Sequence, residues 1–365
     1  MANNRDKIKE LEAEIKKTKY NKATQHHIGL VKAKIALLKS KEESRTSKKT
    51  GQSDHGYSVR KSGDGTVLLL GFPSAGKSTL LNSLTEANSE VGAYAFTTLS
   101  VIPGIMEHKM AKIQILDVPG IVAGAASGRG RGKEVLAVIR NADLVLIVVD
   151  ITTPKHHKAL LKEVWESGIR INKKKPEVYI RKKAKGGLLI GKTVYLDVED
   201  ETLKRILRQF KINNAEITIR SKVDIDSFID CIQGHKKYLP AITILNKGDM
   251  ISKEEAEKVK KQIGADLIVS ASLGKNIKKL RNIIFDRLEF MRLFLKEPRK
   301  EADMKEPLII REGSSIRDVC RKLHKDFEKQ FKFARVWGKS AKFPGQRLML
   351  HHKLKDEDIL EIHLH

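Results

Sequence analysis

Residues 71–78 read Gly-Phe-Pro-Ser-Ala-Gly-Lys-Ser directly after the apolar run Thr66–Leu70. Few folds accept a strand that breaks into a glycine loop closing on Lys-Ser and opening a helix. Gly71 and Gly76 let the chain turn so that backbone N–H groups converge on an anion, while Lys77 adds a point charge and Ser78 a hydroxyl suited to Mg²⁺. Together with Phe72, Pro73, Ser74, Ala75 and Thr79, these residues predict a cradle for the phosphates of a nucleoside triphosphate.

A second motif addresses the base. Asn246-Lys247-Gly248-Asp249 follows the apolar strand Ala241–Leu245. The Asp249 carboxylate can accept from N1–H and the 2-amino group of guanine; adenine lacks both donors and would leave it unpaired. Asn246 is expected to brace the loop and the base, with the Lys247 stem over the ring. Ser270-Ala271-Ser272, closing a strand expected over Ala265–Val269, would offer N–H groups to the guanine carbonyl. GTP and GDP are therefore the expected ligands.

Between these motifs lie the residues expected to sense the third phosphate. Asp117-Val118-Pro119-Gly120 follows the strand Ile113–Leu116, placing Asp117 where it can reach Mg²⁺ and the Gly120 N–H where it can reach the γ-phosphate. Thr98, within Phe96-Thr97-Thr98-Leu99, would complete the metal shell. Lys77, Thr98 and Gly120 are the expected catalytic contacts; Ser78, Thr98 and Asp117 are the expected metal ligands. The glycine-rich stretch 124–132 reads as a loop that orders and disorders with the γ-phosphate. Ile121 stands where many GTPases place a water-orienting glutamine, so unassisted turnover should be on the order of 10⁻³ per second or less. Arg129 and Arg131 in that loop fit solvent or RNA phosphate contacts better than catalysis. Five motifs in this order predict an α/β fold: a P-loop GTPase with a doubly wound, mostly parallel sheet.

Charge points to a second ligand. The 365-residue chain has a formal net charge of +26. Residues 1–49 carry 14 Lys and Arg against 6 Asp and Glu, and residues 170–192 carry 9 against 1. Such density favours a polyanion, with affinity that falls as salt rises. Lys173, Lys174, Lys175, Arg181, Lys182 and Lys183 are the candidate RNA contacts. With aromatic content at 5%, contact through the RNA backbone is expected rather than base stacking. No apolar run approaches the ~18 residues of a membrane span and no secretory signal opens the chain, so a cytoplasmic protein without membrane or DNA partners is expected. Cys231 and Cys320 read as buried, reduced thiols. The pairs His26-His27, His156-His157 and His351-His352 lack further ligands at metal spacing.

Several segments resemble the developmentally regulated GTP-binding (DRG) proteins, Obg-like translation GTPases. They are Asn21–Thr24 with His27, Gly29–Lys34, Gly71–Ser74, Tyr94–Leu99, Gly168–Lys173, Asn214–Thr218 and Ala334–Gln346. The resemblance implies that Gly71–Ser78, Thr98, Asp117–Gly120, Asn246–Asp249 and Ser270–Ser272 contact nucleotide and Mg²⁺. It further implies a ribosome or ribosomal RNA as partner, and a dedicated regulatory protein of the kind DRG relatives pair with. Potassium-stimulated relatives often carry Asn at the position of Ser74, which leaves a K⁺ requirement open. Ala123 replaces a common Glu, and Gly248 replaces a β-branched spacer at what reads as a free position.

The expected organisation is a helical hairpin over residues 5–43 with a linker, together spanning 1–64. A GTPase domain over 65–295 follows, interrupted at about 166–238 by an α+β insert whose ribosomal-protein-like fold the resemblance implies. Residues 296–365 are expected to form a β-grasp module, by resemblance a TGS domain, with a strand at Leu308–Ile310, a helix from a Ser314-x-x-Arg317 start to about Phe331, and a last strand Ile359–Leu364. A slow Mg²⁺-dependent GTPase switching on ribosomes or RNA is the expected function. The alternatives are a GTP-stabilised RNA scaffold with incidental hydrolysis and an Obg-like ATPase.

Overall fold

The computed structural model describes residues 4–19, 21–22, 24–49, 63–85, 102–117 and 141–365. In chain order the elements begin with α1 (Asn4–Lys17), α2 (Gln25–Lys49), β1 (Gly65–Leu70), α3 (Lys77–Leu84), β2 (Ile102–His108), β3 (Ala111–Asp117), β4 (Leu144–Asp150) and α4 (His156–Glu166). Next come β5 (Ile169–Ile171), β6 (Val178–Lys182), β7 (Leu188–Lys192), α5 (Asp200–Gln209), β8 (Ala215–Ile219), α6 (Ile225–Gln233) and β9 (Lys237–Leu239). The rest are β10 (Ala241–Asn246), α7 (Lys253–Ile263), β11 (Leu267–Ile268), α8 (Ile277–Arg287), β12 (Phe290–Leu295), β13 (Leu308–Arg311), α9 (Ile316–Leu323), β14 (Phe331–Trp337), β15 (Gln346–Leu348) and β16 (Ile359–Leu364). They form two compact units, one of residues 1–56 with 168–238 and one of 57–167 with 239–365.

In the larger unit a six-stranded sheet runs β11-β10-β4-β1-β3-β2, parallel except for β2. All six residues of β1 are buried, as expected when helices cover both faces of a parallel sheet. Of the strand expected over Ala265–Val269, only Leu267–Ile268 pairs, so β11 is a short edge. A second sheet, β13-β12-β16-β14-β15, packs α9 through Ile316, Val319 and Cys320 onto Met291, Leu293, Ala334, Val336 and Leu360.

This second sheet includes β12, whose Met291 and Leu293 are core residues, and its helix departs from two expectations. Helix α9 ends at Leu323, and from Phe331 the pattern alternates: Ala334 and Val336 are buried while their neighbours are only partly so. The helix starts at Ser315, whose hydroxyl and N–H both donate to Asp318, 2.7 and 2.8 Å away; Ser314 is not the cap.

In the smaller unit β8 lies between β6, antiparallel to it, and β7, parallel to it. Val178, Ile180, Leu188, Ile190, Ile217 and Ile219 turn inward onto Leu203, Ile206 and Leu207 of α5 and Phe228 of α6. The N-terminal hairpin is part of this body: Ala33 of α2 is fully buried in the same core, and Lys32 pairs with Asp226 at 2.6 Å. Helix α2 also reaches Lys49, so residues 44–49 are helical rather than linker. Short pairs of helices bury too little surface to stand alone, and α1 completes the layer through Ile8 against Val31 and Ile35.

Candidate nucleotide-binding site

Parallel register brings the chemistry to one edge of the larger unit's main sheet. Leu69 of β1 lies opposite Asp117 of β3, and Asp150 of β4 lies opposite Asn246 of β10. These strands therefore end side by side, where loops of doubly wound sheets gather ligands. The loop 71–76 leads from β1 into α3, whose first turn has Gly76 before it at φ 82° and no side-chain cap. A side chain at 76 would collide with Asn246, so glycine alone satisfies both the backbone and the neighbour. Uncapped N–H groups and the helix dipole make this end receptive to phosphate.

Lys77 arches back over the loop and donates to the carbonyls of Gly71 and Phe72 at 3.0 and 3.1 Å. Burial pushes its pKa down, and the nearby Asp117 charge opposes that. Ser78 Oγ donates to Asp117 Oδ2 at 3.1 Å, while Asp117 Oδ1 is buried with no hydrogen-bond partner. Burial raises the Asp117 pKa against the pull of Lys77 and Ser78. A buried orphan acceptor is costly unless something satisfies it, and a hydroxyl beside a carboxylate forms the hard oxygen pair that Mg²⁺ selects. The residues present therefore fit a magnesium ion. Thr98, Val118, Pro119, Gly120, Ile121, Ala123, Arg129 and Arg131 lie outside the described residues.

On the opposite side of the loop, Asn246 is almost fully buried. Its Nδ2 donates to the Ala75 carbonyl at 3.0 Å, and its Oδ1 accepts from the Ala271 N–H at 3.1 Å. Asn246 thus ties the phosphate loop to the Ser270–Ser272 segment. Both ends of its amide are engaged with backbone, which narrows the expected role in bracing the base. Lys247, at φ 62°, reaches Asp150 Oδ2 at 2.6 Å. Thr152 donates to Asp150 Oδ1 through its N–H at 2.9 Å and its hydroxyl at 2.7 Å. Burial pushes the Asp150 pKa up, but the Lys247 and Thr152 hydrogen bonds outweigh it and hold the carboxylate low. Asp150 and Thr152 were not foreseen; their signal is an acid at the end of the apolar strand Leu144–Val149. Asp249 is exposed and held ionised chiefly by the Ser270 hydroxyl. Ser270 Oγ also lies 3.2 Å from Ser272 Oγ.

Position 248 is not free. A Cβ there would stand 2.5 Å from Ile268 Cγ2 and 3.2 Å from the Val269 carbonyl. The Gly248 N–H donates to that carbonyl at 3.0 Å, seating the loop against the end of β11.

Residues 66–183 match a family model described as a 50S ribosome-binding GTPase, 185–290 a C-terminal region of that domain, and 296–364 the TGS domain. A GTP-binding protein of Methanocaldococcus jannaschii is 48% identical over 98% of this chain and 92% of its own length. The developmentally regulated GTP-binding protein 2 of Homo sapiens is 40% identical over 98% of each chain, and its homolog in Dictyostelium discoideum 42% over 98% of each. The chain belongs to the developmentally regulated GTP-binding proteins. It is thus a GTP-binding protein of a P-loop GTPase family with a C-terminal TGS domain.

In this DRG protein the candidate RNA residues lie on the smaller unit. Lys173, Lys174 and Lys175 are exposed between β5 and β6, Arg181 and Lys182 are exposed on β6, and Lys183 pairs with Glu216 at 2.8 Å. Among the described residues no helix is long and apolar enough to cross a membrane, and no cluster of three or more His, Cys, Asp or Glu could hold a metal. Cys231 is only half-buried and Cys320 is buried; burial pushes both thiols up to about 11.

Proposed function

We propose that this chain is a slow, Mg²⁺-dependent, cytoplasmic GTPase that works as a nucleotide-controlled switch on ribosomes or ribosomal RNA. The observation that carries the nucleotide chemistry is the buried, unpaired Oδ1 of Asp117 beside Ser78 and Lys77. Ser78 and Asp117, with Thr98, would hold Mg²⁺, which when bound offsets the negative charge of the phosphates. Lys77 then exchanges two carbonyl partners for phosphate oxygens, and the first-turn N–H groups of α3 orient the same oxygens. Gly71–Thr79, Asp117–Gly120, Asn246, Lys247, Asp249 and Ser270–Ser272 are the proposed nucleotide contacts. Ile121 leaves the attacking water without a side-chain guide, which supports a low intrinsic rate. The basic segment 173–183, the TGS module and the ribosome-binding description of the matching family support an RNA-bearing partner. A DRG-type regulatory protein and K⁺ are further proposed modulators.

Hydrolysis measured with and without ribosomes tests the switch. Stimulation by ribosomes, with tighter binding in the presence of a non-hydrolysable GTP analogue than of GDP, is the expected outcome. Unchanged hydrolysis together with nucleotide-independent binding would sink it and leave the scaffold reading. Competition by ATP separates the adenine alternative: Asp249→Ala should weaken GTP binding by about a hundredfold or more and leave weak ATP binding unchanged.

A further inference from the structure

We infer that the outer face of the β6-β8-β7 sheet is a platform for unpaired RNA bases, with Tyr179 as its stacking surface. This rests on the RNA reading above and replaces its expectation of backbone contact alone. Strand alternation sends Val178, Ile180, Leu188, Ile190, Ile217 and Ile219 into the core, which leaves Tyr179, Arg181, Leu189, Gly191, Glu216 and Thr218 on the other face. Among the described residues of this unit, no element covers that face. Tyr179 is 58% exposed and Leu189 57%, one on each outer strand, large apolar groups that a face built only for solvent would not present in adjacent rows.

Register supplies the shape. Tyr179 lies opposite Thr218, and Thr218 opposite Gly191, so beside the tyrosine ring two strands carry nothing taller than threonine. At a strand spacing of about 4.8 Å this floor is roughly 10 Å across, enough for one base against the ring. A Cβ at Gly191 would meet only the Ile217 carbonyl, at 3.9 Å, so the gap is real space and not a crowded backbone. The neighbouring row is Arg181, Glu216 and Leu189.

Charge selects the occupant. Arg220 stands over the Tyr179 ring at 5.6 Å, and Arg181 is exposed on the same face of that strand. Glu216 on this face is matched by Lys183, the exposed Glu177 precedes the strand opposite Arg220, and the strand is approached from the exposed Lys173–Lys175 turn. An aromatic ring on an open sheet, bordered by cations, suits single-stranded RNA: the base stacks while the phosphates meet arginine and lysine. Duplex RNA keeps its bases stacked on each other and can use only the cations.

The test measures binding of the full-length protein to a labelled single-stranded RNA of about 12 nucleotides, to its duplex and to an abasic strand of the same length. The wild type should prefer the single strand. Tyr179→Ala should lower single-strand affinity about five- to a hundredfold, with duplex affinity, abasic affinity and salt slope unchanged. Tyr179→Phe should retain binding, while Gly191→Val, whose side chain fits the strand but fills the floor, should imitate the alanine variant. Melting curves check that each variant folds. Equal binding to all three probes, or no loss in Tyr179→Ala, overturns the stacking platform. The RNA reading survives that result if charge reversal of Lys173, Lys174 and Lys175 still abolishes binding, and it fails together with the platform if the wild type binds none of the probes. Loss of ribosome binding in Tyr179→Ala with all RNA affinities intact would assign the face to a protein and likewise overturn the proposal.

Discussion

Strand β1 of the larger unit and strand β8 of the smaller one show two ways of using a sheet. Every residue of β1 is buried, whereas in β8 the residues alternate, Ala215, Ile217 and Ile219 buried and Glu216 exposed. A sheet covered on both faces can offer a ligand only its strand ends, and there the phosphate loop, Asp117, Asp150 and Asn246 are gathered. A sheet covered on one face has a whole surface left over. The first arrangement suits a small ligand gripped by backbone; the second suits a macromolecule laid across side chains. Polar chemistry is correspondingly buried and mutually braced in the one, and exposed and cationic in the other.

The largest test of this contrast lies in the smaller unit, whose buried polar pair braces structure and not a ligand. Arg170 of β5 grips Asp230 of α6 through two hydrogen bonds of 2.5 and 2.8 Å, both side chains nearly inaccessible. Arg170→Ala strands a buried carboxylate and should cost about 3–5 kcal/mol of that unit's stability. Calorimetry should show an early transition with GTP affinity retained; loss of both together would break the division of labour.

Lys77→Ala should weaken GTP binding by about 3 kcal/mol, roughly a hundredfold, because a charged donor to phosphate is lost from a half-buried site. Titration calorimetry reads the affinity, and an unchanged melting temperature excludes unfolding. Affinity within a few-fold of wild type would remove the phosphate-loop reading.

Gly248→Val should cost about 1–3 kcal/mol by overpacking against Ile268 and the Val269 carbonyl, and should loosen guanine binding with it. Ile268→Ala in the same chain should recover part of the loss. A double-mutant cycle with no coupling would mean that the loop is not seated on β11 as described.

The smallest effect is expected at acid pH in the C-terminal module. Burial pushes the Asp356 and Glu361 pKa values up, but hydrogen bonds from Arg292 and from Lys296 and His363 bring them below their ordinary 3.8 and 4.5. Asp318 is held below 3.8 chiefly by the Ser315 backbone N–H. Since these acids are depressed in the folded chain, their stabilisation is present above those ordinary values and is lost as pH falls through the lower folded ones. Melting temperature should therefore decline below about pH 4, more steeply in wild type than in Arg292→Ala. Parallel declines would deny the Asp356 pairing any part in stability.

The chain is legible where a motif is written in consecutive residues. Gly71–Ser78 is recognisable because loop, charge and hydroxyl are neighbours in sequence, and Asn246–Asp249 because an apolar strand announces its end. It is not legible where a signal is shared among distant segments. Asp150 holds Lys247 across 97 residues and Asn246 reaches Ala75 across 171, with no local pattern to mark either. The overlong helix expected after Ser314 has the same origin: the apolar residues around Phe327 and Phe331 fit a helical period until pairing with β16 claims the second of them. Gly248 read as free because its crowding comes from Ile268 and Val269, some twenty residues further along the chain.

The residues alone determined a P-loop GTPase, its Asn-Lys-x-Asp motif and the presence of dense basic segments, since spacing and charge survive in a one-dimensional string. Tertiary structure alone decided that the N-terminal hairpin shares a core with the insert, that Asn246 joins two loops, and that Tyr179 faces outward beside a cleared floor. Those outcomes depend on strand register and on which face a neighbour covers. Both are set by packing between segments far apart in the chain.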